Sequence, residues 1–120
     1  MEVFVKDFHE LKVWQKAHLL ALEVYRQSTQ LPPDERFGLT SHLRKTATSV
    51  PSNIAEGCGR EGDRELARFL NIASGSASEL EYQLLLARDL AYLSADAHRA
   101  LGVQVGEVKR MLYRFIQTLS

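Results

Sequence analysis

The sequence predicts an all-α fold, an up-down-up-down four-helix bundle whose second helix is bent by a proline without being ended by it. Three observations carry this reading. Leu66, Leu70, Ala73, Ala77, Leu80, Leu84, Ala87 and Ala91 follow in alternating steps of four and three, a seam that one long helix lays against others. Apolar residues recur at helical spacing elsewhere too, and no stretch alternates apolar with polar as a half-buried strand does. The connections between the periodic stretches are short and rich in proline or glycine, which leaves room only for antiparallel turn-backs.

Taken in order, the first helix is expected over residues 7–28. Asp7-Phe8-His9-Glu10 has the D-x-x-E form of a capping box. Leu11, Trp14, Ala17, Ala21, Val24 and Ser28 form its stripe, widened by Val13 and Leu20. Leu31-Pro32-Pro33-Asp34 ends it and opens the second helix, expected over 34–58, with Asp34 and Glu35 favourably placed at the positive end of the dipole. Leu39, Leu43, Ala47, Val50, Ile54 and Cys58 keep one face in register on both sides of Pro51, so the helix is expected to continue through the proline. The third helix, over 63–92, follows the corner Gly57 to Gly62, with Gly62 or Asp63 as its cap. The fourth, over 95–119, is capped by Ser94 and carries Leu101, Val105, Val108, Leu112, Phe115 and Leu119 on one face. Phe69, Ile72, Leu86 and Leu90 flank the seam of the third helix. That helix is therefore either central to the monomer or also faces a second subunit.

At 120 residues the chain is read as one domain, residues 1–120. Fifteen basic and fifteen acidic side chains cancel, which argues against a strongly basic nucleic-acid binder but leaves local patches open. A single cysteine forms no internal disulfide, as expected for a reducing cytoplasm. No apolar run approaches the ~18 residues of a membrane span, and Met1-Glu2-Val3 lacks a signal-peptide pattern. A cytoplasmic protein with no membrane partner is expected.

Sites with specific chemistry are sparse. Gly57, Gly59 and Gly62 spell G-x-G-x-x-G, but a helix precedes them and no strand exists, so they are taken as helix ends and a tight corner. His9, His18, His42 and His98 include no Glu-x-x-His or zinc-protease spacing, and neither a metal nor another cofactor is expected. Cys58 lies near the negative end of a helix, which raises a thiol pKa; it is expected to be a small buried apolar group. Around the proline, Ser49, Ser52 or water would serve the carbonyl of Ala47, which loses its partner at Pro51. Asn53 and Glu56 would cap the corner, reach a neighbouring subunit, or join His42 in a catalytic cluster. Arg60, Arg64 and Arg68 recur every fourth residue, and Arg44 and Lys45 form a second basic pair, while Lys109, Arg110 and Arg114 make the fourth helix locally basic. These are either phosphate contacts or solvated faces with ion pairs.

Several of these stretches resemble one bacterial family. They are Phe37-Gly38-Leu39-Thr40-Ser41, Leu43-Arg44-Lys45, the run Val50-Pro51-Ser52-Asn53-Ile54-Ala55-Glu56-Gly57, Arg68-Phe69-Leu70 with Ile72-Ala73 and Gly75-Ser76, and Glu79-Leu80-Glu81. Val13-Trp14-Gln15-Lys16-Ala17 is similar to the same family's first helix. Its members are small four-helix-bundle proteins encoded in intervening sequences of large-subunit ribosomal RNA genes, and the resemblance covers about residues 8 to 93. It implies a homopentameric ring and no established enzymatic activity. Some relatives are accessory variability proteins of retroelements, in which a basic pentamer is taken to bind nucleic acid and the reverse transcriptase. The resemblance makes Arg44, Lys45, Arg60, Arg64 and Arg68 the nucleic-acid candidates, and Pro51, Ser52, Asn53, Glu56 and Gly57 a structural signature. This chain departs from the family in its zero net charge and in Gly62, where a serine cap is usual.

The function expected is therefore a non-enzymatic, homo-oligomeric interaction scaffold. Its partners would be further copies of the chain and a partner protein. The alternative is a weak RNA- or DNA-binding accessory protein.

Overall fold

A computed structural model describes residues 7–119, and within them the chain is all-α, with four helices and no strand. These are α1 (Lys12–Ser28), α2 (Leu39–Cys58), α3 (Gly62–Asp89) and α4 (Ala95–Thr118). Each helix packs on the next in sequence, and α4 closes back on α1. The end of α2 meets the start of α3, since Gly57 lies against Leu66 and Phe69. The approach to α2 meets the end of α3, where Tyr92 Oη donates to Glu35 Oε2 at 3.2 Å. That pair is therefore antiparallel. The overall dimensions, 48 × 23 × 20 Å, fit a bundle as long as α3, about 42 Å at 1.5 Å per residue.

The expected stripes form the core. Leu39, Leu43, Ala47, Val50, Ile54 and Cys58 of α2 are all buried, as are the seam residues of α3 from Leu66 to Ala87. Helix α2 continues without a break through Pro51. An interior proline costs about 3 kcal/mol or more. Val50 and Ile54, both fully buried beside it, return about 1.5–3 kcal/mol each, so burial on either side outweighs the lost hydrogen bond. Of the hydroxyls expected to serve Ala47, that of Ser49 goes elsewhere, its Oγ donating to the Thr46 carbonyl at 2.8 Å, and Ser52 is exposed.

Helix boundaries depart from expectation where tertiary contacts intervene. The capping box at Asp7 and Glu10 does not start α1. Asp7 Oδ1 accepts instead from the backbone N–H of His9 and caps a single 3-10 turn, Phe8–Glu10. Extended Leu11 then separates that turn from Lys12, and Phe8 sets its ring edge-on to Trp14 at 4.8 Å. Helix α2 begins at Leu39 rather than residue 34. Pro33–Glu35 is a 3-10 turn, and Gly38 adopts a non-helical conformation. Glu35 then caps from a distance, its Oε1 accepting the Leu39 N–H at 3.0 Å. At the head of α3 no side chain serves as cap: Gly62 turns the chain at φ +83, which side-chain-bearing residues avoid.

At the other end α3 stops at Asp89, short of the expected residue 92, and Ala91 leaves the seam to become exposed. The Tyr92 N–H donates to the Ala87 carbonyl and that of Ala91 to Arg88, the two bonds of a Schellman turn, with Ala91 left-handed at φ 63. Ser94 does cap α4, accepting from the Ala97 N–H at 3.0 Å. Among the described residues α3 packs on α2 and α4, and one flank of its seam stays uncovered: Ile72, with Leu90 in phase beyond the helix end, is exposed there, while exposed Leu85 lies on the other flank.

Two small substitutions report on this geometry with opposite signs. A methyl group on Gly57 would lie 2.9 Å from Cβ of Phe69, so Gly57→Ala is expected to cost about 1–3 kcal/mol. Ala91→Gly relieves a left-handed alanine and is expected to gain about 0.5–1 kcal/mol. Urea unfolding followed by circular dichroism measures both.

Candidate functional site

The signature run of α2 divides its duties by helical face. Pro51 is buried on the side toward α1, Gly57 is buried against α3, and Ser52 is exposed. Asn53 folds back on its own helix, its Nδ2 donating to the Ser49 carbonyl at 2.7 Å. Glu56 pairs with Arg60 across one turn at 3.1 Å. His42 lies eleven residues before Asn53, about 16 Å along the axis at 1.5 Å per residue. Asn53, Glu56 and His42 therefore do not converge, and the catalytic cluster weighed from the sequence is absent.

The proline instead floors a groove of about 330 Å³ between α1 and α2. Trp14, Ala21, Leu22 and Tyr25 form one wall, and Thr48, Ser52 and Ala55 the other, with Phe8 also lining it. Spacings of three and four align the α1 residues on one stripe. The indole of Trp14 stacks on the His18 ring, centroids 5.1 Å apart and planes within 6°. The walls are mostly carbon, and Leu22 and Tyr25 are exposed at the rim. Sequence periodicity finds Trp14 but assigns it to the core; its partly open position, and the groove itself, follow from how α1 crosses α2.

The basic candidates do not form one surface. Arg44, half-buried, ties α2 to α1: its Nε donates to Ser28 Oγ at 2.9 Å and its Nη2 to the Tyr25 carbonyl, with the guanidinium 4.9 Å from the Tyr25 ring centre. It thereby caps the last turn of α1. Lys45, next to it, is exposed, and both border a cleft of about 420 Å³ with Tyr25, Arg36, Phe37, Thr40 and Ser41. Arg60 and Arg68 are brought together at the opposite end of α2, both over the ring of Phe69, 5.2 and 4.4 Å from its centre. Each is also paired, Arg60 with Glu56 and Arg68 through two bonds with Glu65, which hold the Glu65 carboxyl below its usual range. Arg64 is exposed on the first turn of α3. Sequence reading passes over Arg36, whose guanidinium lies 5.2 Å from the ring of Phe37, itself 85% exposed.

Burial, with a smaller contribution from the Asp7 carboxylate, pushes the Cys58 thiol up, so it stays protonated and inert at neutral pH. Among the described residues, no group of three His, Cys, Asp or Glu is placed to hold a metal, and no helix is long and apolar enough to cross a membrane. The two neighbouring cations of α2 are separable by mutation. Arg44→Ala is expected to lower unfolding free energy by about 1–2 kcal/mol, because it removes two hydrogen bonds that tie α2 to the last turn of α1, although Ser28 Oγ still donates to the Tyr25 carbonyl. Lys45→Ala, with no such bond, is expected to stay within about 0.5 kcal/mol of the parent in the same urea titration.

The chain is similar in fold to the crystal structure of a protein with unknown function from the S23 ribosomal protein family of Bacteroides thetaiotaomicron. The TM-score is 0.81 at 23% identity, over 87% of this chain and 97% of that one. No curated protein matches. The family described as 23S rRNA-intervening sequence protein matches residues 9–114, the region that holds all four helices but for the last turn of α4. By that match the chain belongs to the 23S rRNA-intervening sequence protein family.

Proposed function

We propose that this chain is a non-enzymatic, self-associating helical scaffold, with the groove floored by Pro51 as its principal contact surface. The observation that carries the reading is the uncovered carbon-rich band along α1: Trp14, Leu22 and Tyr25 beside a groove of about 330 Å³. Contiguous exposed apolar surface of this kind marks interaction sites. A second uncovered surface on the same subunit is the flank of α3 that carries Ile72, with Leu90 in phase just beyond the helix end. Two different faces allow head-to-tail contact, which closes into a ring when the rotation per subunit divides a full turn. The ring of five follows from the family resemblance. The scaffold is tested by light scattering. The parent chain is expected at about five times its 13.6 kDa mass. Leu22→Arg, at a position 38% exposed and so tolerated by the fold, is expected to run as a single subunit. A parent chain that stays a single subunit at high concentration contradicts the reading.

A second reading, weak RNA or DNA binding, is favoured by the cleft at the start of α2. There Arg36, Arg44 and Lys45 line one cleft with Tyr25 and Phe37, Arg36 over the Phe37 ring and Arg44 over that of Tyr25. Such a surface holds single strands by phosphate contacts and base stacking. The expected result is micromolar binding of mixed-sequence RNA at low salt, weakening steeply as salt rises, and lost in Arg36→Glu with Lys45→Glu. Binding unchanged in that double variant sinks this reading and leaves the scaffold intact.

A further inference from the structure

We propose that the cleft at the start of α2 is a site for a single nucleotide bearing a free terminal monophosphate. The site rests on the nucleic-acid reading above and narrows it, from a strand in general to a phosphorylated end. The cleft measures about 420 Å³, in the lower part of the ~300–1,000 Å³ of ligand sites, so one nucleotide fits and a run of them does not. Its groups are within reach of solvent: Arg36, Ser41 and Lys45 are exposed, and Phe37 is 85% exposed. Of its lining only Tyr25 also borders the Pro51 groove, and none of it belongs to α3.

Charge selects the phosphate. Three cations, Arg36, Arg44 and Lys45, line the cleft, and no carboxylate does. Neither Arg36 nor Lys45 closes an ion pair among the described residues. Glu35, the acid next to Arg36 in sequence, is spent on the Leu39 N–H and the Tyr92 hydroxyl. Arg44 is held by Ser28 and the Tyr25 carbonyl and adds a charge fixed in place. A terminal monophosphate carries a charge of about −1.5 to −2 at neutral pH, where an internal diester carries a single one, so it answers both unpaired cations at once. Thr40 and Ser41 line the same space from the first turn of α2, where backbone N–H groups lack partners in their own helix.

The ring selects the base. Arg36 covers one face of Phe37, and the exposure of that ring leaves the other face free to stack. The far end of α2 offers the same residue types without the opportunity. Arg60 and Arg68 also lie over a ring, but Glu56 and Glu65 pair with them and Phe69 is buried.

The test is a titration of the ¹⁵N-labelled full chain with adenosine 5′-monophosphate at low salt, followed by amide chemical shifts. Binding is expected with Kd on the order of 100 μM, with shifts concentrated at residues 36–45. Adenosine and inorganic phosphate, each carrying half of the ligand, are expected to bind at least about tenfold more weakly. Phe37→Ala and Lys45→Ala, both at exposed positions that the fold tolerates, are each expected to weaken binding about tenfold. A short mixed-sequence RNA with a 5′-phosphate is expected to bind about tenfold tighter than the same strand with a 5′-hydroxyl. No shift at residues 36–45 under saturating nucleotide overturns the proposal. So does adenosine or inorganic phosphate that matches the nucleotide in position and strength, or binding that Phe37→Ala leaves unchanged. Two strands that bind equally while the mononucleotide does not bind remove this site and leave the nucleic-acid reading standing; failure of the mononucleotide and of both strands removes the two together.

Discussion

The bundle rests on how closely α2 approaches α3, and the approach is set by Gly57, whose α-carbon leaves no space for a methyl group beside Phe69 and Leu66. That contact exists only because α2 stays helical for two turns beyond Pro51. Were the helix to end at the proline, residues 52–58 would have no defined face, and the corner into α3 would have no fixed start. The same close pairing places Phe69 where Arg60 and Arg68 lie over it, and it forms the long α2–α3 seam. On its other side α2 presents Pro51 to α1 and so floors the apolar groove. One unbroken helix thus serves both of its neighbours.

Energetically the arrangement is asymmetric. The proline's missing hydrogen bond is a local loss of a few kcal/mol, whereas the gain is spread over Ala47, Val50, Ile54 and Cys58, all buried along one stripe. Surface charge contributes little by comparison. Pairs such as Arg60 with Glu56 and Arg99 with Asp96 are exposed and local, worth a fraction of a kcal/mol each. The polar contacts that matter join distant parts of the chain: Arg44 to the last turn of α1, and Glu35 to both the start of α2 and Tyr92 after α3. They fix where helices end and how those ends meet. Burial fixes which faces are in.

The stripes of the helices were legible from spacing alone, because burial at steps of three and four leaves its mark on every turn. The continuity of α2 was legible for the same reason: Val50 and Ile54 stay in phase across Pro51. The ends were less so. Leu11 is in phase with α1, yet it is extended, since Phe8 is drawn onto Trp14 by a contact that has no period. Ala91 is in phase with the α3 seam and is a good helix former, but the chain turns left-handed there to close a Schellman pair, an event no local residue type announces. Of the candidate sites, the run Pro51 to Gly57 stood out in sequence, while its division among three faces did not. Arg44 looked free because its partners lie sixteen and nineteen residues earlier.

The claim on which these surfaces depend is that α2 is a single cooperative helix across Pro51, and native-state hydrogen exchange reads it directly. Amides of residues 54–58 are expected to open with the same free energy as those of Leu43–Val50 and of Leu66–Leu70 in α3, because all three segments share one core. Exchange of residues 54–58 at the rate of a fraying end, while the segment before the proline stays protected, would contradict it.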